Sequence, residues 1–180
     1  TQSFVFANRY APKDIKLFYN DYNDADPVKR DAICVLLRQI KDTKGARIDG
    51  MGMQAHYHME FPSVEQIREA VYMYSSIVNE IQFTEFDMQS SKSYDGSDHE
   101  LELERGGARY KELFRTIYSL DKEDKINITG ITFWGTHDSV SWLQEAALVG
   151  GGSDGNRPQM PLPFDDACNE KPAFWGIIDA

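Results

Sequence analysis

Four times along the chain a short apolar run ends in polar or aromatic residues and is followed by a segment with helical spacing, and this alternation narrows the fold more than any other feature. The runs start near residues 15, 48, 81 and 128, and no motif repeats with them, so the pattern reads as βα units and not as a solenoid. The first run, Ile15 to Tyr19, precedes Asp26-Pro27, an N-cap followed by an N1 proline. The helix so opened carries Ile33, Leu36, Leu37 and Ile40 at helical spacing, with Gly45 predicted to close it. The second run, Ile48 to Met53, ends at Gln54-Ala55-His56. Ser63 and Gln66 then form a capping box ahead of Ile67, Val71, Tyr74 and Val78. The third run, Ile81 to Met88, leads to a helix over about 101–120 that contains the weakening pair Gly106-Gly107. The fourth, Ile128 to Trp134, is followed by a closing helix over 172–180.

Four βα units suit either an open doubly wound sheet or part of a (β/α)8 barrel. The first requires a glycine-rich phosphate turn after the first strand, and Tyr19-Asn20-Asp21-Tyr22-Asn23 contains no glycine. Polar and aromatic residues instead crowd the C-terminal end of every strand: Asn20 and Tyr22, Gln54 and His56, Glu85 and Asp87, Trp134 and His137. Barrel enzymes assemble their sites at that end. A complete barrel takes about 250 residues, so four strands in 180 residues correspond to half of one, with long loops.

Composition limits the partners. No stretch approaches the ~20 apolar residues of a membrane span. A formal charge of −10 makes nucleic acid and anionic membranes poor partners and leaves a neutral ligand as the better one. Cys34 and Cys168 are far apart and lack metal spacing; they read as two packing thiols. Residues 1–10 show neither the basic stretch nor the apolar run of a secretory leader in full. Phe4, Ala7 and Tyr10 read as a helix tail stopped by Pro12, which suggests that the segment begins inside a longer polypeptide.

The chemistry concentrates in Phe83-Thr84-Glu85-Phe86-Asp87. Side chains alternate along a strand, so Glu85 and Asp87 point to one face and Thr84 and Phe86 to the other. Two carboxylates aimed into one small volume raise at least one pKa unless a cation or donor intervenes, and His56 at the neighbouring strand end is suited to intervene. Asp87 and His56 are therefore expected to hold Glu85 ionised and aimed. Taken singly, each residue is more simply a solvated or satisfied strand-end group; convergence at successive strand ends favours the catalytic reading.

Thr84-Glu85-Phe86-Asp87 resembles the Thr-Glu-Leu-Asp nucleophile signature of family 10 glycoside hydrolases, endo-1,4-β-xylanases, with Phe86 where leucine is usual. Gly52-Met53-Gln54-Ala55-His56 resembles that family's sixth-strand motif and Tyr19-Asn20-Asp21-Tyr22-Asn23 its fifth. Phe133-Trp134-Gly135-Thr136-His137-Asp138-Ser139-Val140-Ser141-Trp142 is similar to the eighth, departing at His137 and Val140. Lys171-Pro172-Ala173-Phe174-Trp175 resembles the closing motif. The resemblance covers nearly the whole chain. It implies an α/β fold, the C-terminal half (strands five to eight) of a TIM (β/α)8 barrel, in one segment over 1–180 with the N-terminal half elsewhere.

By the same resemblance the activity is retaining hydrolysis of internal β-1,4-xylosidic bonds, with Glu85 as nucleophile and His56 and Asp87 as its supports. Gln54 and Asn20 would bind the sugar, Trp134 and Trp142 would form an aromatic floor, and Tyr22 would lie on the leaving-group side. No cofactor or metal is implied. The partners would be xylan and xylo-oligosaccharides, together with the other half of the barrel or a second copy of the chain, and the location secreted or at the cell surface. The acid/base carboxyl would lie on the fourth strand, upstream of Thr1. Val78-Asn79-Glu80 matches the letters of the acid motif but falls in the turn entering the Glu85 strand, at the opposite end from Glu85.

Other signals carry less. His56 and His58 have no third ligand at a supportive spacing. The sequon Asn127-Ile128-Thr129 runs into a predicted strand, Gly150 to Gly155 is a flexible loop and not a phosphate cradle, and Ser90 to Glu100 is predicted to be a solvated loop on the active side. The alternative to an enzyme is a noncatalytic half-barrel that binds xylan or assembles with itself.

Overall fold

The computed structural model describes residues 1–144 and 157–180; the predicted loop Gly150 to Gly155 lies outside the described residues. The chain forms two compact units. The first comprises Thr1–Ala55, Glu65–Thr84 and Leu120–Ile131, and the second His56–Val64, Glu85–Ser119 and Thr132–Ala180.

In the first unit the strands are β1 (Phe18–Asp21), β2 (Gly50–Met53), the first half of β4 (Glu80–Gln89) and most of β5 (Ile128–Phe133). β1 pairs with β2 and β2 with β4, both parallel, with Phe18 opposite Gly50 and Met53 opposite Phe83. β5 lies on the free side of β4, so β1 and β5 are the edges of this unit. Parallel strands need crossovers, and α2 (Pro27–Asp42) and α3 (Val64–Ser75) supply two of them. Asp26 caps α2 as the sequence predicts, its carboxylate accepting from the Val28 and Lys29 N–H groups. Ile33, Leu37 and Ile40 of α2 and Ile67, Val71 and Tyr74 of α3 are buried with Met51, Met53, Ile81 and Phe83 of the strands. Full burial of each such side chain contributes about 1.5–3 kcal/mol. α1 (Gln2–Tyr10) buries no residue, and its Phe6 and Tyr10 are exposed.

Several boundaries differ from expectation for identifiable reasons. The strand expected from Ile15 begins at Phe18, because the backbone before it is tied to side chains: Arg47 donates to the Ile15 carbonyl (2.7 Å) and Asp49 accepts from the Leu17 N–H (2.7 Å). α2 leaves helical geometry at Thr43, before Gly45, whose φ of +85° serves the turn that follows. Val78 lies beyond the end of α3 yet is buried.

In the second unit, β3 (His56–His58) pairs in parallel with the second half of β4, with His56 opposite Asp87 and His58 opposite Gln89. This strand was not predicted. Ala55 adopts φ +60°, which separates β2 from β3. Phe86, fully buried, is the hub of an aromatic cluster: its ring lies 5.6 Å from Tyr57, 5.7 Å from Tyr110, 5.4 Å from Phe114 and 5.9 Å from Phe133. The departure from the usual leucine is thereby filled by packing. α4 (His99–Asp121) runs through the pair Gly106-Gly107 without a break. Gly107 has a packing role, since a Cβ there would meet Pro172 at 2.8 Å, and one on Gly176 would clash with the Gly107 carbonyl, where α5 (Pro172–Ile178) crosses. The loop from Ser90 is not simply solvated. Ser91 donates through its N–H (2.6 Å) and hydroxyl (2.7 Å) to buried Glu102, and Tyr94 is buried, whereas Lys92, Ser93 and the loop residues from Asp95 onward are exposed. Cys34 is buried, but Cys168 is exposed in a turn, so only one of the two thiols packs.

Candidate active site

Glu85 and Asp87 stand two apart on β4 and so share a face, and the β3–β4 register sets His56 directly across from Asp87. The His56 ring lies between the two acids. Its Nδ1 is 2.9 Å from Asp87 Oδ1 and its Nε2 is 3.2 Å from Glu85 Oε2. Only the imidazolium donates at both nitrogens. Burial alone would lower the His56 pKa, but hydrogen bonds to and charges on Asp87 and then Glu85 outweigh it and raise the pKa above the ordinary value. Asp87 is wholly buried, and that burial pushes its carboxyl up despite the donors around it. Both shifts are upward: the pair keeps its proton to a higher pH than free groups would.

Two indoles close around the histidine. Trp142 lies 5.1 Å from the His56 ring at 66°, and its Nε1–H donates to Asp87 Oδ2 at 2.8 Å. Trp134 lies 6.5 Å away at 78°, its backbone N–H donating to the Phe86 carbonyl at 3.1 Å. Trp134 is 47% and Trp142 41% exposed, so both keep ring surface available to a ligand. The second unit therefore gathers Glu85, His56, Asp87, Trp134 and Trp142.

Asn20, Tyr22 and Gln54 belong to the first unit, at the C-terminal ends of β1 and β2. The side-chain Oδ1 of Asn20 accepts from the Thr84 hydroxyl at 2.6 Å. Tyr22 is exposed, with the Lys29 ammonium 4.4 Å from its ring centroid, and the Gln54 backbone N–H donates to the Asp21 carbonyl at 3.0 Å. Glu80 opens β4, five residues before Glu85, where it pairs with Lys16 and accepts from the Thr129 hydroxyl at 3.2 Å. It sits at the strand entrance, as expected of a turn residue.

A buried ion pair is among the features that escaped the sequence. Lys171 of the closing motif is buried against Asp138 (2.6 Å) and donates to the Met160 carbonyl (3.0 Å), while Asp138 accepts from the Leu162 N–H (2.9 Å). Burial pushes Asp138 up and Lys171 down. The pair ties the segment after β5 to the start of α5, and only the two motifs' positions hinted at it. His137, expected among the strand-end polar groups, faces the Ser139 hydroxyl at 3.1 Å instead.

The two histidines of β3 titrate in opposite senses. His56 has a raised folded pKa, so its contribution to stability is present in full below the unfolded value of about 6.5 and is lost as pH rises through the folded pKa. His58 is lowered, by burial first and then by Arg157 and Lys92, so stability is lost as pH falls from about 6.5 through its folded pKa. Urea midpoints measured across pH are expected to lose their alkaline decline in His56→Gln and part of their acid decline in His58→Gln. The same slopes in both variants would contradict this assignment.

Comparison with known proteins identifies the relatives of the chain. Residues 1–180 match the model of glycosyl hydrolase family 10. The chain is 36% identical to an endo-1,4-beta-xylanase of Geobacillus stearothermophilus over 99% of its own length and 52% of that protein's. It is also 36% identical to endo-1,4-beta-xylanase B of Paenibacillus barcinonensis, over 98% of this chain and 51% of the relative. The crystal structure of xylanase B from Clostridium stercorarium F9 superposes with a TM-score of 0.82 at 35% identity, covering 99% of this chain and 50% of that one. The chain thus spans about half the length of the curated relatives it matches, and its parallel βα units are the C-terminal half of a TIM barrel. A match that runs the full length of the chain places it in glycosyl hydrolase family 10.

Proposed function

We propose that this chain supplies the nucleophile half of a retaining endo-1,4-β-xylanase. The observation that carries the reading is the position of His56, with one ring nitrogen 3.2 Å from Glu85 and the other 2.9 Å from Asp87. A carboxylate that must attack an anomeric carbon has to be ionised and fixed in direction, and a part-buried imidazolium anchored by a second acid supplies both conditions. Glu85 attacks the anomeric carbon and forms a glycosyl ester as the leaving-group oxygen departs. That departure needs a proton from a second carboxyl about 5–5.5 Å from the first, which then deprotonates the water that releases the sugar. The second carboxyl belongs, on this reading, to the half of the barrel that completes the chain. Trp134 and Trp142 offer indole faces to the sugar beside Glu85, and Gln54, Asn20 and Tyr22, within the first unit, are sugar-binding residues by the motifs in which they stand. The substrate is xylan or a xylo-oligosaccharide, a neutral backbone compatible with the net charge of −10. A polymeric substrate cannot cross a membrane intact, which supports a secreted or cell-surface location.

His56→Asn tests the reading in the complete barrel. Losing a hydrogen bond to a charged group should lower kcat by about 10- to 100-fold, with KM moving by no more than about threefold, since His56 holds Glu85 and does not grip the sugar. A change confined to KM would reassign His56 to substrate binding.

A further inference from the structure

We propose that Trp142 is a positioning residue for the His56–Asp87 pair: its indole N–H keeps Asp87 ionised, and through Asp87 it governs how His56 holds Glu85. The inference takes its consequence for turnover from the proposed hydrolase reading. Its structural content stands apart from that reading.

Asp87 has no exposed surface, and a buried carboxylate persists only if donors replace the water it has lost. Among the described residues two side chains donate to it, one per oxygen: His56 at Oδ1 (2.9 Å) and Trp142 at Oδ2 (2.8 Å). The neighbouring charge on Glu85 works against ionisation. His58 and the fully buried Tyr110 also feel the Asp87 charge, but neither is hydrogen-bonded to it. An indole nitrogen only donates, so this contact favours the charged form of Asp87. Without it one oxygen of Asp87 would be buried and undonated, and the proton shared with His56 would move toward the acid. His56 would then lose the anion that anchors Nδ1 while its other nitrogen still faces Glu85. The ring of Trp142, 5.1 Å from His56, makes the arrangement stiffer: the same side chain that meets Asp87 also limits the tilt of the imidazole. A role confined to stacking under a sugar does not require the indole N–H to point at an acid.

Trp142→Phe separates the two roles, since it keeps an aromatic face and removes the donor. Asp87 and His56 are followed by carboxyl carbon and imidazole nitrogen resonances across pH, in the protein as isolated, with its completing half where that is present. The expected result is that the pH at which Asp87 takes up its proton moves up by about one unit, the loss of one charge-assisted hydrogen bond. The acid limb of kcat should move with it, and KM should change less than kcat. In the Asp87→Asn background, Trp142→Phe should add no further shift in His56. A second readout needs no variant: the wild-type Trp142 indole N–H resonance should follow the titration of Asp87. Unchanged titration in Trp142→Phe with weakened substrate affinity alone, or an indole resonance that stays flat while Asp87 titrates, would overturn the proposal and leave Trp142 as a sugar platform. If the titrations shift as expected but the complete barrel does not hydrolyse xylan, the hydrolase reading fails and the positioning role stands.

Discussion

Glu85→Ala in the complete barrel is expected to lower turnover of xylan by about 10,000-fold or more while leaving affinity for xylo-oligosaccharides within a few-fold of the parent. The two effects separate because the carboxylate is used in the covalent step, and binding is spread over aromatic and polar contacts elsewhere. Truncation removes one acid from a site that otherwise keeps His56, Asp87, Trp134 and Trp142 in place. Glu85 lies on the sheet face opposite Phe86, the hub of the aromatic core, so the fold loses no core packing when Glu85 is cut back. Steady-state kinetics with xylan and calorimetry with an oligosaccharide check both halves of the expectation. Near-normal turnover in the variant would remove Glu85 from the chemistry.

Residues 1–180 taken alone are expected to show no xylanase activity and not to persist as a monomer. β1 and β5 are edges of the first unit, each with one paired and one unpaired side, and a parallel edge strand left open seeks a partner. All four residues of β2 are buried, whereas β5 has no buried residue and β1 only Asp21, so the accessible strand surface is greatest at the edges. α1 adds to it, with Phe6 and Tyr10 exposed on a helix that buries nothing. A second copy could cover these edges, which is the self-assembling alternative to an enzyme, but each copy carries −10, and like charge opposes that association. Such a pair would also bring two Glu85 side chains together without a distinct acid, and a leaving group departs only if a differently placed, protonated carboxyl is present. Sedimentation and a reducing-sugar assay, with and without the completing half, are the measurements. A stable, monomeric and active 180-residue protein would refute the half-barrel account.

Alternation of βα units was legible because it rests on local signals: the Asp26-Pro27 cap, the spacing of Ile33, Leu37 and Ile40, and the run from Ile81 to Met88. The shared face of Glu85 and Asp87 was legible for the same reason, since it depends only on strand periodicity. What sequence alone could not reach was set by distant partners. Phe18 and not Ile15 opens β1 because Arg47 and Asp49, some thirty residues on, occupy the backbone groups before it. The short strand β3 depends on a left-handed alanine, Ala55, where no glycine marked the turn. The indole donor to Asp87 comes from 55 residues downstream, and Trp142 read from sequence is only an aromatic beside a sugar. Ser91 looked like part of a polar loop because its partner, Glu102, is one of many acids in that stretch and is the one that turns inward.

Azide rescue of Glu85→Ala tests the central claim most directly. With the nucleophile removed and the acid/base carboxyl intact, azide enters the space left by Glu85 and attacks an activated β-xyloside from the face opposite the leaving group. The account predicts recovered turnover and an α-xylosyl azide, inverted at the anomeric carbon. A β-configured azide would mean that Glu85 serves as the acid/base and that the nucleophile lies elsewhere.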